Sequence, residues 1–165
     1  MAVREIRLFG DPVLKTPCSA VLDFDEKTIA LVTDLLDTTK VPGRAGVAAP
    51  QIGVNLRVFS YHVNGVSGYL INPEKLELAG DAELVEEGCL SVPGLWHKTL
   101  RHSKASLSGY QLDGSYRTIH GEGLLAQALQ HELDHLDGLL YLDRLSHEER
   151  REAMKTLRQT EWFMS

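Results

Sequence analysis

The sequence predicts an α+β fold, in which antiparallel β-sheets pack around a central α-helix and further helices lie near both ends of the chain. Two observations support this class. Apolar residues recur at helical spacing in two segments, and a capping pattern marks the start of a third helix. Between the two apolar segments, short runs rich in β-branched and aromatic residues are joined by short turns, which favours antiparallel pairing.

The N-terminal helix is predicted over residues 25–39. Its apolar side chains recur with the period of a helix, and Asp23 or Asp25 could cap its first turn. Two prolines within residues 10–19 indicate an irregular segment ahead of it. Cys18 lies in that segment without ligand-type neighbours, so we expect a small buried apolar residue there.

Strands are predicted over 56–62, 68–72, 75–78, 104–111 and 115–119. Asn64-Gly65 separates the first two strands, and Asp113-Gly114 separates the last two. Both dipeptides favour tight hairpin turns because their residues accept positive φ angles. Ahead of the strands, residues 41–53 combine small residues with prolines, which indicates a tight loop that brings its backbone close to another group. An ordinary Gly/Pro connection is the alternative.

The central helix is predicted over residues 122–137, with Gly138 as the residue that ends it. A C-terminal helix is predicted over 147–160. Ser146 and Glu149 have the spacing of a capping box, which marks the start of that helix.

Composition limits the function classes. The chain of 165 residues is 43% apolar and 24% charged, as expected for one soluble globular domain over 1–165. A net charge of −6 argues against general nucleic-acid binding, and we expect no specific DNA binding. No targeting segment or membrane-spanning apolar run is present, which predicts a cytoplasmic protein without a membrane partner.

The central helix carries a candidate metal site. His131 and His135 are four residues apart, so a helix places both imidazoles on one face, one turn apart. Glu132 lies about 100° round the same turn. This arrangement suits two nitrogen ligands on one divalent metal, beside a carboxylate that moves protons. A helix with two surface histidines is the alternative.

A catalytic metal of this kind needs a third protein ligand and one open position. Cys89 is the best candidate, because Gly88 allows close approach of the backbone and a thiolate binds zinc or ferrous iron well. A buried, inert thiol is the alternative for Cys89. The remaining histidines that we considered lie in polar stretches and are weaker candidates: His97, His102, His120 and His147.

Three stretches together resemble the motifs of the peptide deformylase family. They are Gly46-Val-Ala-Ala-Pro-Gln51, Glu87-Gly-Cys-Leu-Ser91 and Gln130-His-Glu-Leu-Asp-His135. Flanking similarity extends the resemblance from Gly10 to Arg144. It implies a metal-dependent hydrolase that removes the formyl group from the N-terminal methionine of newly made polypeptides and releases formate.

The resemblance also implies a role for individual residues. Cys89, His131 and His135 would hold the metal, with water as fourth ligand. Glu132 would be the general acid and base. The side-chain amide of Gln51 and the backbone N–H of Leu90 would face the oxyanion. Fe²⁺ is the metal expected in the cell, and Zn²⁺ or Ni²⁺ are plausible substitutes.

Nascent N-formylmethionyl peptides are the implied partner. Gly46 would pair its backbone with the peptide as a β-strand does. The methionine pocket is expected to be apolar and next to the metal. Its candidate residues are Ala45, Leu124, Ala128 and His131, with Leu90 nearby. Leu124 and Ala128 also lie on the helical stripe that carries the two histidines.

The chain departs from the family pattern at the edge of the cleft. Arg44 stands where the family usually has glycine, and arginines that many members carry near Trp96 or at Gln127 are absent. If those arginines hold the peptide, Arg44 or Arg101 is expected to replace them.

Two rival functions remain open. A zinc peptidase would take its third ligand downstream, from one of Asp137, Asp143, His147, Glu148 and Glu149. A binding module would use a structural metal, but such sites close the fourth position with protein.

The C-terminal helix raises a smaller hypothesis. Its basic residues could make a weak contact with the ribosome, and a solvated face is the alternative because several glutamates dilute the charge. The basic residues are Arg150, Arg151, Lys155 and Arg158.

Overall fold

The computed structural model describes residues 2–164 of the chain and has α-helices near both ends, with a further α-helix packed against a β-sheet. The helices are α1 (Glu26–Thr39), α2 (Leu124–Leu136), α3 (His147–Leu157) and α4 (Glu161–Met164). The strands are β1 (Gly46–Ala48), β2 (Val58–Val63), β3 (Val66–Cys89), β4 (Val92–Tyr110) and β5 (Tyr116–Glu122). Short 3-10 helices cover Pro12–Lys15, Ala49–Ile52 and Tyr141–Arg144. The α+β class predicted from the sequence is confirmed.

The strands pair in chain order, β1-β2-β3-β4-β5, and each pair is antiparallel. The predicted hairpin at Asn64-Gly65 is confirmed, since both residues have positive φ and Val63 pairs with Val66. The second hairpin joins β4 to β5 through residues 111–115, where Gly114 has a φ of 85°. The short turns therefore produced the antiparallel pairing expected of them.

The predicted bounds of three strands were wrong. Segments 68–72 and 75–78 are parts of β3, which continues to Cys89, and β4 begins at Val92 rather than near 104. Together β3 and β4 form a long ribbon with several register shifts. Most side chains of β3 from Glu74 to Glu86 are exposed, so no buried face imposes an apolar alternation on the sequence there.

The prediction for residues 41–53 was also incomplete. This segment contains β1 and the 3-10 helix Ala49–Ile52 as well as a turn. Both elements are buried, and their small residues and proline obscured the pattern. The 3-10 helix leads directly from the edge strand towards the cleft described below.

The predicted helices are confirmed, with small differences at their ends. Helix α1 begins after Asp25, whose side chain accepts from the N–H groups of Lys27 and Thr28. Helix α3 begins after Ser146, which accepts from the N–H of Glu149, and ends at Leu157 rather than residue 160.

Helix α2 packs against the sheet and forms the centre of the fold. Leu129 and Leu136 on this helix are fully buried and belong to one core cluster with side chains of β2, β3 and β4. Cys18 joins the same cluster, in agreement with its expected role as a small apolar residue. The packing of one face of α2 orients another face towards β3 and β1. Within residues 2–164, no helix is long and apolar enough to cross a membrane.

Candidate metal centre and active-site cleft

Three metal-ligating side chains meet between α2 and the end of β3. The Sγ of Cys89 and one ring nitrogen each of His131 and His135 all lie within 4.8 Å of one another. Cys89 Sγ is 3.4 Å from His135 Nε2, and the two histidine Nε2 atoms are 3.2 Å apart. In the described part of the chain, this is the one such group of three ligating side chains.

The secondary structure positions each of these side chains. Cys89 is the last residue of β3 and pairs with Val92 across a two-residue turn, so its side chain points back towards the helix. His131 and His135 are one turn apart on α2. Thus a strand end and one helix face create the cluster.

The cluster fits a divalent metal. Two nitrogen ligands about 2.0–2.1 Å from a tetrahedral ion lie roughly 3.3–3.4 Å apart, close to the separation found here. Burial lowers the pKa of His135 well below its usual range, which keeps its ring in the neutral, ligating form. Burial also acts to lower the pKa of His131, but Glu132, Cys89 and Glu87 raise it well above its usual range. A divalent ion can occupy this favourable place for positive charge instead of the proton.

Glu132 lies beside the three candidate metal ligands and is almost completely buried. Its Oε1 has no hydrogen-bond partner within residues 2–164. Burial raises the pKa of this carboxyl to about 7. A buried carboxylate with one oxygen unbonded among the described residues and a pKa near neutral has the properties of a general base.

The side-chain amide of Gln51 is aimed at the same place. Its Oε1 accepts from the N–H of Ala48, which turns Nε2 towards Ser91 Oγ at 3.2 Å and Cys89 Sγ at 3.7 Å. Gln51 is itself buried, and the 3-10 helix Ala49–Ile52 holds it. Leu90 is in the turn that follows Cys89 and lines the same cleft.

A layer of charged residues lies behind His131. Glu87 Oε2 accepts from His131 Nδ1 at 2.8 Å, and Arg101 binds the same carboxylate with two N–H groups. Arg101 also donates to Asp134, which in turn binds Arg144. Burial acts to raise the pKa of Glu87, but the bonds from Arg101 and His131 lower it to about 2.

Sequence reasoning missed the roles of Glu87, Arg101 and Asp134. A signal was present for Glu87, because residues two apart on a strand share a face and Cys89 was already a candidate ligand. Asp134 lies between the two histidines in the sequence, but nothing local indicated its partner. Arg101 carries no sequence signal, since only the pairing of β3 with β4 brings it to Glu87.

A cleft of about 640 Å³ opens beside the metal cluster. Ala45, Gly46, Leu124 and Ala128 all line it, as do His131 and Glu132. Ala128 is buried, whereas Leu124 is 51% exposed and lies at the open rim. His135 is fully buried behind the lining.

The structure also shows where the atypical residues lie. Arg44 lines the cleft, but its Nη1 donates to the carbonyl of Thr38 in the last turn of α1. Trp96 lies against Gly88 at the cleft and is 68% exposed. Gln127 donates to Glu86 O and Glu87 Oε1, which ties α2 to β3. The expectation that Arg101 replaces the missing arginines at the peptide is wrong, because Arg101 is buried and its N–H groups bond Glu87 and Asp134.

The fold and the site define a class of α+β proteins in which two histidines four residues apart on a helix, and a cysteine at the end of a strand, form a candidate metal centre. The family model described as polypeptide deformylase matches residues 3–151. The chain therefore belongs to the polypeptide deformylase family, whose members are hydrolases that use a divalent metal.

Individual relatives agree with this assignment. A peptide deformylase of Acidothermus cellulolyticus is 49% identical over 98% of this chain and 89% of its own length. Peptide deformylase 1 of Corynebacterium glutamicum is 46% identical over 99% of each chain.

Solved structures share the fold. The peptide deformylase of Legionella pneumophila superposes with a TM-score of 0.88 at 37% identity, over 96% of this chain and 95% of that one. A Synechococcus elongatus peptide deformylase in complex with actinonin has a TM-score of 0.85 at 30% identity, over 99% and 96% of the two chains.

Proposed function

We propose that this protein removes the N-formyl group from the terminal methionine of newly made polypeptides. The observation that carries the proposal is the meeting of three groups in one cleft: the Cys89, His131 and His135 cluster, the buried Glu132 carboxylate and the Gln51 amide. Membership of the polypeptide deformylase family supports the same reaction. The products are formate and a free N-terminal amine.

Cys89, His131 and His135 would hold one divalent metal, with Fe²⁺ expected in the cell and Zn²⁺ or Ni²⁺ as substitutes. When bound, such an ion acts as a Lewis acid and lowers the pKa of water in its open position. His131 is oriented for this role by Glu87, while His135 is held by the packing around α2.

Glu132 transfers the proton. Its carboxylate accepts a proton from the attacking water while oxygen bonds to the formyl carbon. It then delivers that proton to the amine nitrogen as the carbon–nitrogen bond breaks. The absence of any hydrogen-bond partner for Oε1 among the described residues supports this assignment, since a carboxylate committed to a structural bond is a weaker base.

The Gln51 Nε2 and the Leu90 backbone N–H stabilise the negative charge that develops on the formyl oxygen. Donors that are fixed before reaction need no reorganisation, which makes them worth several kcal/mol in a buried site. The hydrogen bond from the Ala48 N–H to the side-chain Oε1 of Gln51 supports this role. It fixes the side-chain amide with its N–H groups towards Cys89.

The substrate would bind along the cleft. Its methionine side chain would contact Ala45, Leu124 and Ala128, and its backbone would pair with Gly46. Strand β1 is at the edge of the sheet, so its outer side is available for a further strand. The apolar lining suits the flexible thioether of methionine.

The rival peptidase reading is disfavoured by the contacts of its third-ligand candidates. Asp143 bonds to Lys15 and to the N–H of Leu140, and Asp137 to Arg57. His147 is exposed and bonds to Arg151. None of these residues joins the metal-ligating group found within residues 2–164.

A cytoplasmic location and a weak ribosome contact through α3 complete the proposal. Arg150, Arg151, Lys155 and Arg158 are exposed on or just after that helix, as such a contact requires. Co-sedimentation with ribosomes that weakens as salt rises would support the contact. Absence of co-sedimentation at low salt argues against it.

The test of the main proposal is release of formate from formyl-methionyl peptides by protein loaded with Fe²⁺ without oxygen. Replacing Glu132→Gln should retain the metal and lower kcat by at least about 100-fold. Glu122→Gln is the control, since that carboxylate is exposed at the end of β5. Cleavage of internal peptide bonds without release of formate would contradict the proposal, and full activity without iron would contradict the choice of metal.

A further inference from the structure

A network of charged side chains links the metal-site residue His131 to Arg144. His131 Nδ1 is 2.8 Å from Glu87 Oε2, and Arg101 holds Glu87 through Nε at 2.9 Å and Nη2 at 2.6 Å. The third arm of Arg101, Nη1, is 2.9 Å from Asp134 Oδ2. Arg144 is the last member of the network, with Nη2 at 2.6 Å from Asp134 Oδ1 and Nε at 3.1 Å from Oδ2.

The charges of this network balance only when Arg144 is included. Glu87, Asp134 and Arg101 are all almost fully buried, so the interior holds two carboxylates for one guanidinium. Arg144 supplies the second cation from the 3-10 helix Tyr141–Arg144, and its side chain is 48% exposed. A buried carboxylate without a partner is costly, and Asp134 would then compete with Glu87 for Arg101.

Of the two histidines, His131 is the one that this network can orient. Its Nδ1 is committed to Glu87, whereas the Nδ1 of His135 has no hydrogen-bond partner within residues 2–164. A carboxylate on the remote ring nitrogen fixes both the tautomer and the angle of a ligating imidazole. Anything that loosens Glu87 therefore loosens one ligand of the site.

We propose that Arg144 is a positioning residue for the metal centre. It satisfies Asp134 with both arms of its fork, which leaves Arg101 free to hold Glu87 and thereby fixes the ring of His131. This inference rests on the metal site proposed above, and it assigns to Arg144 a task besides attaching its 3-10 helix to α2.

The direction of the effect separates positioning from simple charge. Removing the positive charge of Arg144 makes the surroundings of the site more negative, which by itself would hold a cation more tightly. Loosening His131 has the opposite effect, because a ligand that leaves its position more often releases the metal sooner. Positioning therefore predicts faster loss of metal.

The experiment measures transfer of Zn²⁺ from zinc-loaded protein to a chelator. Arg144→Gln should release zinc about tenfold faster, the lower end of the effect known for residues behind a ligating histidine. Arg150→Gln is the matched control. Arg150 is 47% exposed and pairs with Asp143, which does not belong to the charged network that reaches His131. Arg150→Gln should keep the wild-type rate. Equal rates for both variants, or slower release from Arg144→Gln, would overturn the inference.

A second comparison tests the route. In a Glu87→Gln background, Arg144→Gln should add less than about a twofold change, because the two residues act in series. A full tenfold effect in that background would overturn the route through Glu87. If Glu87→Gln does not fold, the visible absorption of Co²⁺-loaded Arg144→Gln and Arg150→Gln replaces this test. A change confined to Arg144→Gln supports the inference, and identical spectra overturn it.

Failure of the metal site is distinguishable from failure of this inference. If the wild-type protein retains no zinc, the metal site itself is wrong. If it retains zinc and releases formate while Arg144→Gln behaves like Arg150→Gln, only the role of Arg144 is wrong.

Discussion

Gly46 and Glu132 are in such close contact that a β-carbon on Gly46 would lie 2.6 Å from Oε2 of Glu132. The glycine is in the edge strand β1 and the glutamate is on α2, so the missing side chain creates the space that the carboxylate fills. This contact gives Gly46 a reason to be glycine that is separate from the freedom of its backbone, since its φ is not positive.

We predict that Gly46→Ala lowers kcat for formate release by at least about 100-fold, because the added methyl group displaces the Glu132 carboxylate. Metal content should not change, since no ligand moves. Gly114→Ala is the control. Gly114 has a φ of 85°, so this variant should lose stability, but Gly114 does not line the cleft and the activity per folded molecule should not change. Full activity of Gly46→Ala would show that Glu132 tolerates displacement.

Gln51→Leu is predicted to lower kcat by about 100-fold to 1,000-fold with little change in KM, because the amide contributes chiefly when negative charge develops on the substrate. Steady-state kinetics with a formyl-methionyl peptide measures both constants. Ser91→Ala removes an acceptor from Gln51 while keeping the amide, and should stay within about threefold of wild type. A rise in KM alone would assign Gln51 to substrate binding instead.

Trp96 offers an exposed aromatic face where the cleft meets Gly88. For peptides with an apolar residue after methionine, Trp96→Ala should raise KM about fivefold, the equivalent of about 1 kcal/mol of aromatic contact. Formyl-methionine without a following residue should show no such change. Leu100→Ala, which is 55% exposed and outside the cleft lining, is the control. An equal rise in KM for the short and long substrates would argue against the contact.

Asp143 is expected to stabilise the fold in a pH-dependent way. Burial acts to raise its pKa, but the N–H of Leu140, Lys15 and Arg150 lower it below the ordinary value of 3.8. Because the folded-state pKa is lowered, the ionised carboxylate contributes stability above that ordinary value, and the contribution is lost as pH falls through the lowered value.

Thermal unfolding of Asp143→Asn and wild type measures this effect. The variant should be less stable by about 1 kcal/mol near pH 7, and the difference should shrink below about pH 4. Arg150→Gln removes only one exposed partner and should have little effect. A difference in stability that stays constant down to about pH 2 would contradict the assignment.

The sequence predicted those elements whose signal is local. Helix α1, helix α2 and the Asn64-Gly65 hairpin each have a period, a cap or a turn dipeptide within a few residues. It failed for β3, because an exposed ribbon needs no apolar alternation. It also failed for β1, whose burial is imposed by neighbours that are distant in the chain.

The sequence by itself determined the candidate chemistry of this protein. The spacing of His131 and His135 places two candidate metal ligands on one face of a helix, one turn apart and next to Glu132, whatever surrounds it. Three motifs in order then indicated the family.

Only the tertiary structure decided how these groups are held. It placed Gly46 against Glu132 and joined Arg144 to His131 through buried charges. The physical reason is that a periodic pattern reports the local backbone, whereas such contacts arise between distant segments when the whole core packs.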